Sequence, residues 1–210
     1  NLAIAEHGLE IRNAFAAIYM PEAESKKRVS IPVETIRQIQ QSCVEHDDDM
    51  RWLIALISDT GLRLAEAAGL HVDDIKLDED IPYVNIKPHP WRSLKTKGSQ
   101  RQVPLVGASL WAAQRIKANA SSCFAFPRYT DNSRCNANSA SNALNKWLHA
   151  NYRKDIVIHG FRHAMRDRLR AASCPSEMID QIGGWSSGKV GEGYGEGFDL
   201  RSVLNRLEQI

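Results

Sequence analysis

The chain has no hydrophobic run long enough to span a bilayer: no stretch approaches the roughly 18 apolar residues a transmembrane helix needs, and no signal-peptide pattern is present. It is poor in cysteine. Cys43, Cys123, Cys135 and Cys174 lie far apart without a CxxC pair, so neither a zinc framework nor a disulfide scaffold is suggested. These features are those of a protein of a reducing, cytoplasmic setting, with no membrane partner. Charge of one sign is scarce as well: 27 Lys and Arg against 25 Asp and Glu leave a net +2, too little to prove a nucleic-acid partner, although a local basic face fits within it. GxxxxGK[ST] is absent, which argues against a P-loop ATPase. Four residues separate Cys123 from Arg128, not the five of a Cys-based phosphatase loop. His159 and His163 have the i,i+4 spacing of zinc ligands, but no HExxH glutamate or obvious third ligand accompanies them. No Asp/Glu cluster suggests a two-metal nuclease. What is left is a set of cations with hydroxyl nucleophiles beside them, and no cofactor or metal is called for.

At 210 residues the chain fits one domain, or a domain with a small appendage. Residues 1–20 read as the tail of a helix, and 21–31 (PEAESKKRVSI) have linker composition. Pro32 sits at a helix start, with Val33, Ile36, Ile39 and Gln40 in helical period; a second helix spans roughly 50–59 with Trp52, Leu53, Leu56 and Ile57 as its apolar face. From 73 to 105 the period changes. Residues 73–77 and 83–86 alternate as strands, and 91–96 and 101–105 flank a turn-like insert, 97–100. A three-stranded antiparallel sheet with a cationic hairpin tip is expected, in which Lys95 and Lys97, two apart, share one strand face; a lysine-protected sheet edge explains the same pattern. Helical patterns resume at 108–118, 139–152, 159–172, 176–182 and 200–207, so the fold class is α+β and mainly helical.

Two stretches carry candidate chemistry. In TGLRLAEAAGL, Gly61 ends one helix and Arg63 stands at the corner before the next, with Glu66 one turn on. This is either an ordinary surface ion pair or an Arg aimed at a phosphate and oriented by the acid. In HGFRHAMRDRL, Phe161, Ala164, Met165, Leu169 and Ala172 give a buried face, while His159 and Arg162, three apart, can address one target. An Arg fork beside an imidazole suits a phosphate oxygen; the bland reading makes His159 a cap and Arg162 a surface cation.

Together with the hairpin LKTKGSQRQVPL and the closing GGWSSGKVGEGYG, in that order over about residues 30–200, these stretches resemble the catalytic domain of a tyrosine recombinase of the phage integrase family. The resemblance implies that Arg63, Lys95 or Lys97, His159, Arg162, Trp185 and Tyr194 gather around one scissile phosphate of double-stranded DNA. Glu66 would orient Arg63. Lys95 is favoured as the catalytic lysine because Lys95-Thr96 matches the family's lysine-threonine pair, with Lys97 close behind. Trp185 stands where many relatives carry histidine, a substitution also found in the family. Residues 1–29 would then be the end of a helix and linker from a preceding core-binding domain, and 30–210 the catalytic domain with its C-terminal helix. That helix would serve self-association, as a tetramer on two DNA sites, or pack within its own chain; accessory DNA-bending proteins are possible partners. Integration or excision of a phage or mobile element is the implied role. A type IB topoisomerase-like or telomere-resolving enzyme would share the chemistry without synapsis of two duplexes. A DNA-binding module with a degenerate site would lack a catalytic residue, and none is missing here.

Overall fold

A computed structural model of the chain describes residues 2–8, 10–11, 13, 30–185 and 197–210, and of Leu2, Ala3 and Lys97 the backbone only. The linker expected at 21–31 therefore lies almost wholly outside the described residues. So do Tyr194 and the glycine-rich segment around it.

A short α1 (Leu2–Glu6) precedes α2 (Val33–His46), which begins after Pro32 and buries Ile36, Ile39 and Cys43, spaced three and four apart. Helix α3 (Asp49–Thr60) starts where the Asp48 side chain accepts from the Arg51 amide. It buries every residue from Leu53 to Thr60, not one stripe, because α2, α5 and α7 surround it. Helix α4 (Leu64–Ala68) follows, and then the sheet: β1 (Ile75–Lys76), β2 (Tyr83–Ile86) and β3 (Arg101–Pro104). The strands are antiparallel in the order β1-β2-β3, with Ile75 opposite Val84 and Val84 opposite Val103. Five further helices follow among the described residues: α5 (Gly107–Ala118), α6 (Ala137–Asn151), α7 (Ile158–Ala171), α8 (Ser176–Gly183) and α9 (Leu200–Leu207). Helix α9, capped by the Asp199 carboxylate, packs Val203 and Leu207 against β3 of its own chain.

The sheet departs from expectation at both ends. Val72–Asp74 form a 3₁₀ turn, not the start of a strand, and the Asp74 carboxylate is buried against His89 (2.6 Å) and Lys87 (3.0 Å). Residues 91–96 are not a strand. Pro88 and Pro90 cannot donate to a ladder, and His89 and Arg92 close a tight turn by exchanging backbone bonds of 3.0 Å. Trp91 and Arg92 then both turn inward: the indole donates to Gly69 O at 3.0 Å, and the Arg92 guanidinium, only 4% exposed, donates to Lys87 O. Lys95 is exposed in irregular chain ahead of a 3₁₀ turn over Lys97–Ser99, so the two lysines do not share a strand face.

Candidate active site

The site grows from the corner between α3 and α4. Gly61 holds φ +62°, a left-handed conformation that costs a side-chain-bearing residue about 1 kcal/mol, and so ends α3 and turns the chain. Arg63 becomes the cap of α4, and its amide donates to Glu66 Oε2 at 2.9 Å. Its guanidinium reaches three different segments: Glu66 Oε1 at 2.6 Å, Ser99 Oγ at 3.2 Å and Gly184 O at 2.7 Å. Glu66 is 3% exposed, which excludes the surface-pair reading.

Arg162 comes from the first turns of α7. It is 4% exposed, so it is no surface cation. Its Nη1 donates to Gly61 O at 2.6 Å, which ties α7 to the Arg63 corner. Its Nη2 is buried with no hydrogen-bond partner among the described residues. Trp185 follows the left-handed Gly184 that ends α8, and its ring stacks on Arg162, with Cζ 4.2 Å from the centroid. Arg166, one turn further along α7, approaches the same ring at 5.1 Å.

Three of the expected residues (Arg63, Arg162 and Trp185) and the supporting Glu66 thus assemble around Gly61 and Gly184. His159 lies one turn before Arg162 on α7, exposed, with its ring edge-on to that of His163 at 4.9 Å; it does not cap the helix, whose cap position is Val157. Lys95 is exposed in the loop leading to Ser99, the residue that touches Arg63. Among the described residues no group of three His, Cys, Asp or Glu side chains could hold a metal ion.

The sequence reading missed Arg101. This residue opens β3 and donates to Glu66 Oε2 (2.9 Å) and Oε1 (3.3 Å), to Ser99 O (2.7 Å) and to Ile182 O (2.8 Å). The available signal was its alternation with Gln102 and Val103, which places Arg101 on the inward face with the valine. The cluster is short of negative charge. Burial works against ionised Glu66, but Arg101 and Arg63 outweigh it and hold the carboxyl below its ordinary pKa. Burial, and then repulsion from Arg63 and Arg101, push Arg162 down to about 9. An anion placed between Arg63 and Arg162 would relieve that repulsion.

The helices and small sheet have the architecture of tyrosine recombinase catalytic domains. Solved structures that share it include the Tn1549 transposon integrase in complex with circular intermediate DNA (TM-score 0.60, 17% identity, 89% of this chain and 66% of that one) and the XerA recombinase (TM-score 0.59, 14% identity, 98% and 66%). The phage integrase family model matches residues 30–196, and the chain belongs to that family. Curated relatives include tyrosine recombinase XerC of Neisseria meningitidis serogroup C, 26% identical over 193 residues, and that of Neisseria gonorrhoeae, 26% identical over 194. The alignments take in 88% of this chain and 60% of each relative, so the chain spans about three fifths of the length of the relatives it matches.

Proposed function

We propose that the protein is a site-specific recombinase that cuts and rejoins double-stranded DNA through a 3′-phosphotyrosyl intermediate, serving integration or excision of a phage or mobile element. The observation that carries this reading is the convergence of Arg63 and Arg162 from separate helices onto the Gly61 corner, with the buried Glu66 carboxylate shared between Arg63 and Arg101. Transition-state charge builds on the non-bridging oxygens of an attacked phosphodiester, and preorganised guanidiniums stabilise it without a metal. Arg162 Nη2, lacking a protein partner among the described residues, is the donor such an oxygen would receive. Trp185 holds the Arg162 plane in place and carries an indole N–H that can donate to the phosphate but cannot shuttle protons.

In this reading Tyr194 attacks phosphorus, a bond forms between its oxygen and the phosphorus, and the bond to the 5′-oxygen breaks. A phenol ordinarily ionises near pH 10, so the cationic pocket and His159 as base would activate it. Lys95 or Lys97 protonates the departing 5′-oxygen. Rejoining reverses these steps with the 5′-hydroxyl of another strand and needs no ATP, because the phosphodiester energy is kept in the phosphotyrosine. Residues 30–210 would be the catalytic domain and 1–29 the end of a preceding domain and linker. Four copies would act on two duplexes, with α9 as a candidate contact and DNA-bending proteins as accessories.

The test uses suicide duplexes, nicked beside the cleavage point so that rejoining fails, built on a sequence selected for binding from a random pool. The expected result is a covalent protein–DNA adduct that forms in EDTA and is lost in Tyr194→Phe. DNA binding without an adduct, by the chain joined to its proposed preceding domain, would favour the binding-module reading instead.

A further inference from the structure

We propose that Arg101 is a positioning residue for strand cleavage: its guanidinium ties Glu66, and through it Arg63, to the tip of the lysine-bearing hairpin and to the end of α8. The inference rests on the reading of Arg63 as a phosphate-binding group. The Arg101 side chain is 4% exposed and its bonds all go to protein, so it is not placed to touch DNA. What matters is where those bonds lead. Each oxygen of Glu66 is shared between the two arginines: Oε1 receives Arg63 Nη1 and Arg101 Nη1, and Oε2 receives the Arg63 amide and Arg101 Nη2. Fixing Arg101 therefore fixes the carboxylate that aims Arg63.

The remaining Arg101 donors set the neighbours of that carboxylate. Nη1 holds Ser99 O, in the residue whose hydroxyl touches Arg63, and Nε holds Ile182 O, two residues before the Gly184 carbonyl that receives Arg63 Nη2. Gly184 lies so close that a Cβ there would stand 2.7 Å from Arg101 Nη1. A buried Arg–Glu pair is a weak source of stability, since an apolar pair of the same volume does as well. An apolar pair could not orient Arg63. Lysine could not replace Arg101 either, because its point-like ammonium cannot span acceptors on three segments as a planar fork does.

The experiment compares single-turnover cleavage by wild type, Arg101→Lys and Arg101→Gln on two suicide duplexes, one with the natural scissile phosphodiester and one with a neutral methylphosphonate there. Melting temperature and DNA affinity are measured alongside. The methylphosphonate lacks the charge that Arg63 would balance, so a fault in aiming Arg63 should matter less on it. The expected result is a folded Arg101→Lys that binds DNA within about threefold of wild type and cleaves the phosphodiester roughly 100-fold more slowly, with the deficit shrinking to less than about fivefold on the methylphosphonate. An equal deficit on both duplexes, or none on either, overturns the inference. So does loss of folding in both variants, which would make Arg101 part of the scaffold alone. A wild-type protein that forms no adduct on either duplex overturns the recombinase reading, and this inference with it.

Discussion

Arg162→Met should stabilise the protein while abolishing cleavage. A buried cation with a donor that has no partner among the described residues, its pKa pushed down by burial and then by its cationic neighbours, is held in the fold at a cost. The drop from the ordinary guanidinium value to about 9 amounts, at ~1.36 kcal/mol per pKa unit, to at most about 5 kcal/mol of destabilisation. Methionine would lose the charged hydrogen bond to Gly61 O, worth about 2 kcal/mol, and the stacking on Trp185, worth about 1–2 kcal/mol. The balance is a gain of at most about 1–2 kcal/mol, or a few °C in melting temperature for a chain of this size. The unfolded chain binds the Arg162 proton more tightly than the folded one. The penalty is therefore complete below about pH 9 and is relieved as pH rises from there towards the ordinary guanidinium range. Thermal denaturation of both proteins at pH 7 and pH 10.5 should show an advantage at neutral pH that is lost in alkali, where the relief reaches about 2 kcal/mol. Sulfate, an anion for the same pocket, should raise the melting temperature of wild type more than that of the variant. A variant less stable than wild type at pH 7, or an advantage unchanged at pH 10.5, would refute the reasoning.

Glu66→Gln removes the carboxylate between two arginines and should cost about 3–5 kcal/mol in urea denaturation at pH 7, because two largely buried cations lose their counter-charge. Its pKa is depressed in the fold, so its contribution is present at neutral pH and lost as pH falls through the depressed value; the gap between wild type and variant should close in acid. Gly61→Ala combines a left-handed φ with a Cβ 2.9 Å from Met165 Cγ and should lose about 1–3 kcal/mol, with slower cleavage because Gly61 O positions Arg162. Trp185→Phe keeps a ring against Arg162 and should cleave faster than Trp185→Ala in single-turnover assays, an order that would reverse only if the ring did not position the arginine.

The helices were legible because their apolar residues repeat at three and four: Ile36, Ile39 and Cys43 in α2, and Phe161, Ala164, Met165 and Leu169 in α7, are all buried. Gly61 and Gly184 mark helix ends in the sequence and take the left-handed conformation in the fold. The turn-like insert at 97–100 suggests a strand at 91–96, but the prolines at 88 and 90 break the chain just before it, and His89 and Arg92 close a tight turn instead. Arg63 and Arg162 could be singled out by spacing, but spacing could not tell surface from interior. That depended on α7 crossing α3, a tertiary contact with no local signature. Arg101 was overlooked for a related reason: a charge on the inward face of a strand makes sense only once Glu66 is known to lie opposite it. The choice between Lys95 and Lys97 as the proposed general acid was not legible, because the chain ahead of Ser99 is irregular and then a 3₁₀ turn, with no strand register to separate the two positions.

The most direct test of the central claim is to digest the trapped suicide-duplex adduct with protease and nuclease and identify the linked peptide by mass spectrometry, while labelling the released DNA end with polynucleotide kinase. The account predicts a nucleotide joined to Tyr194 through its 3′-phosphate, with a free 5′-hydroxyl that accepts label without prior phosphatase treatment. A nucleotide on any other residue, a 5′-linked adduct, or a released end that already carries phosphate would contradict it.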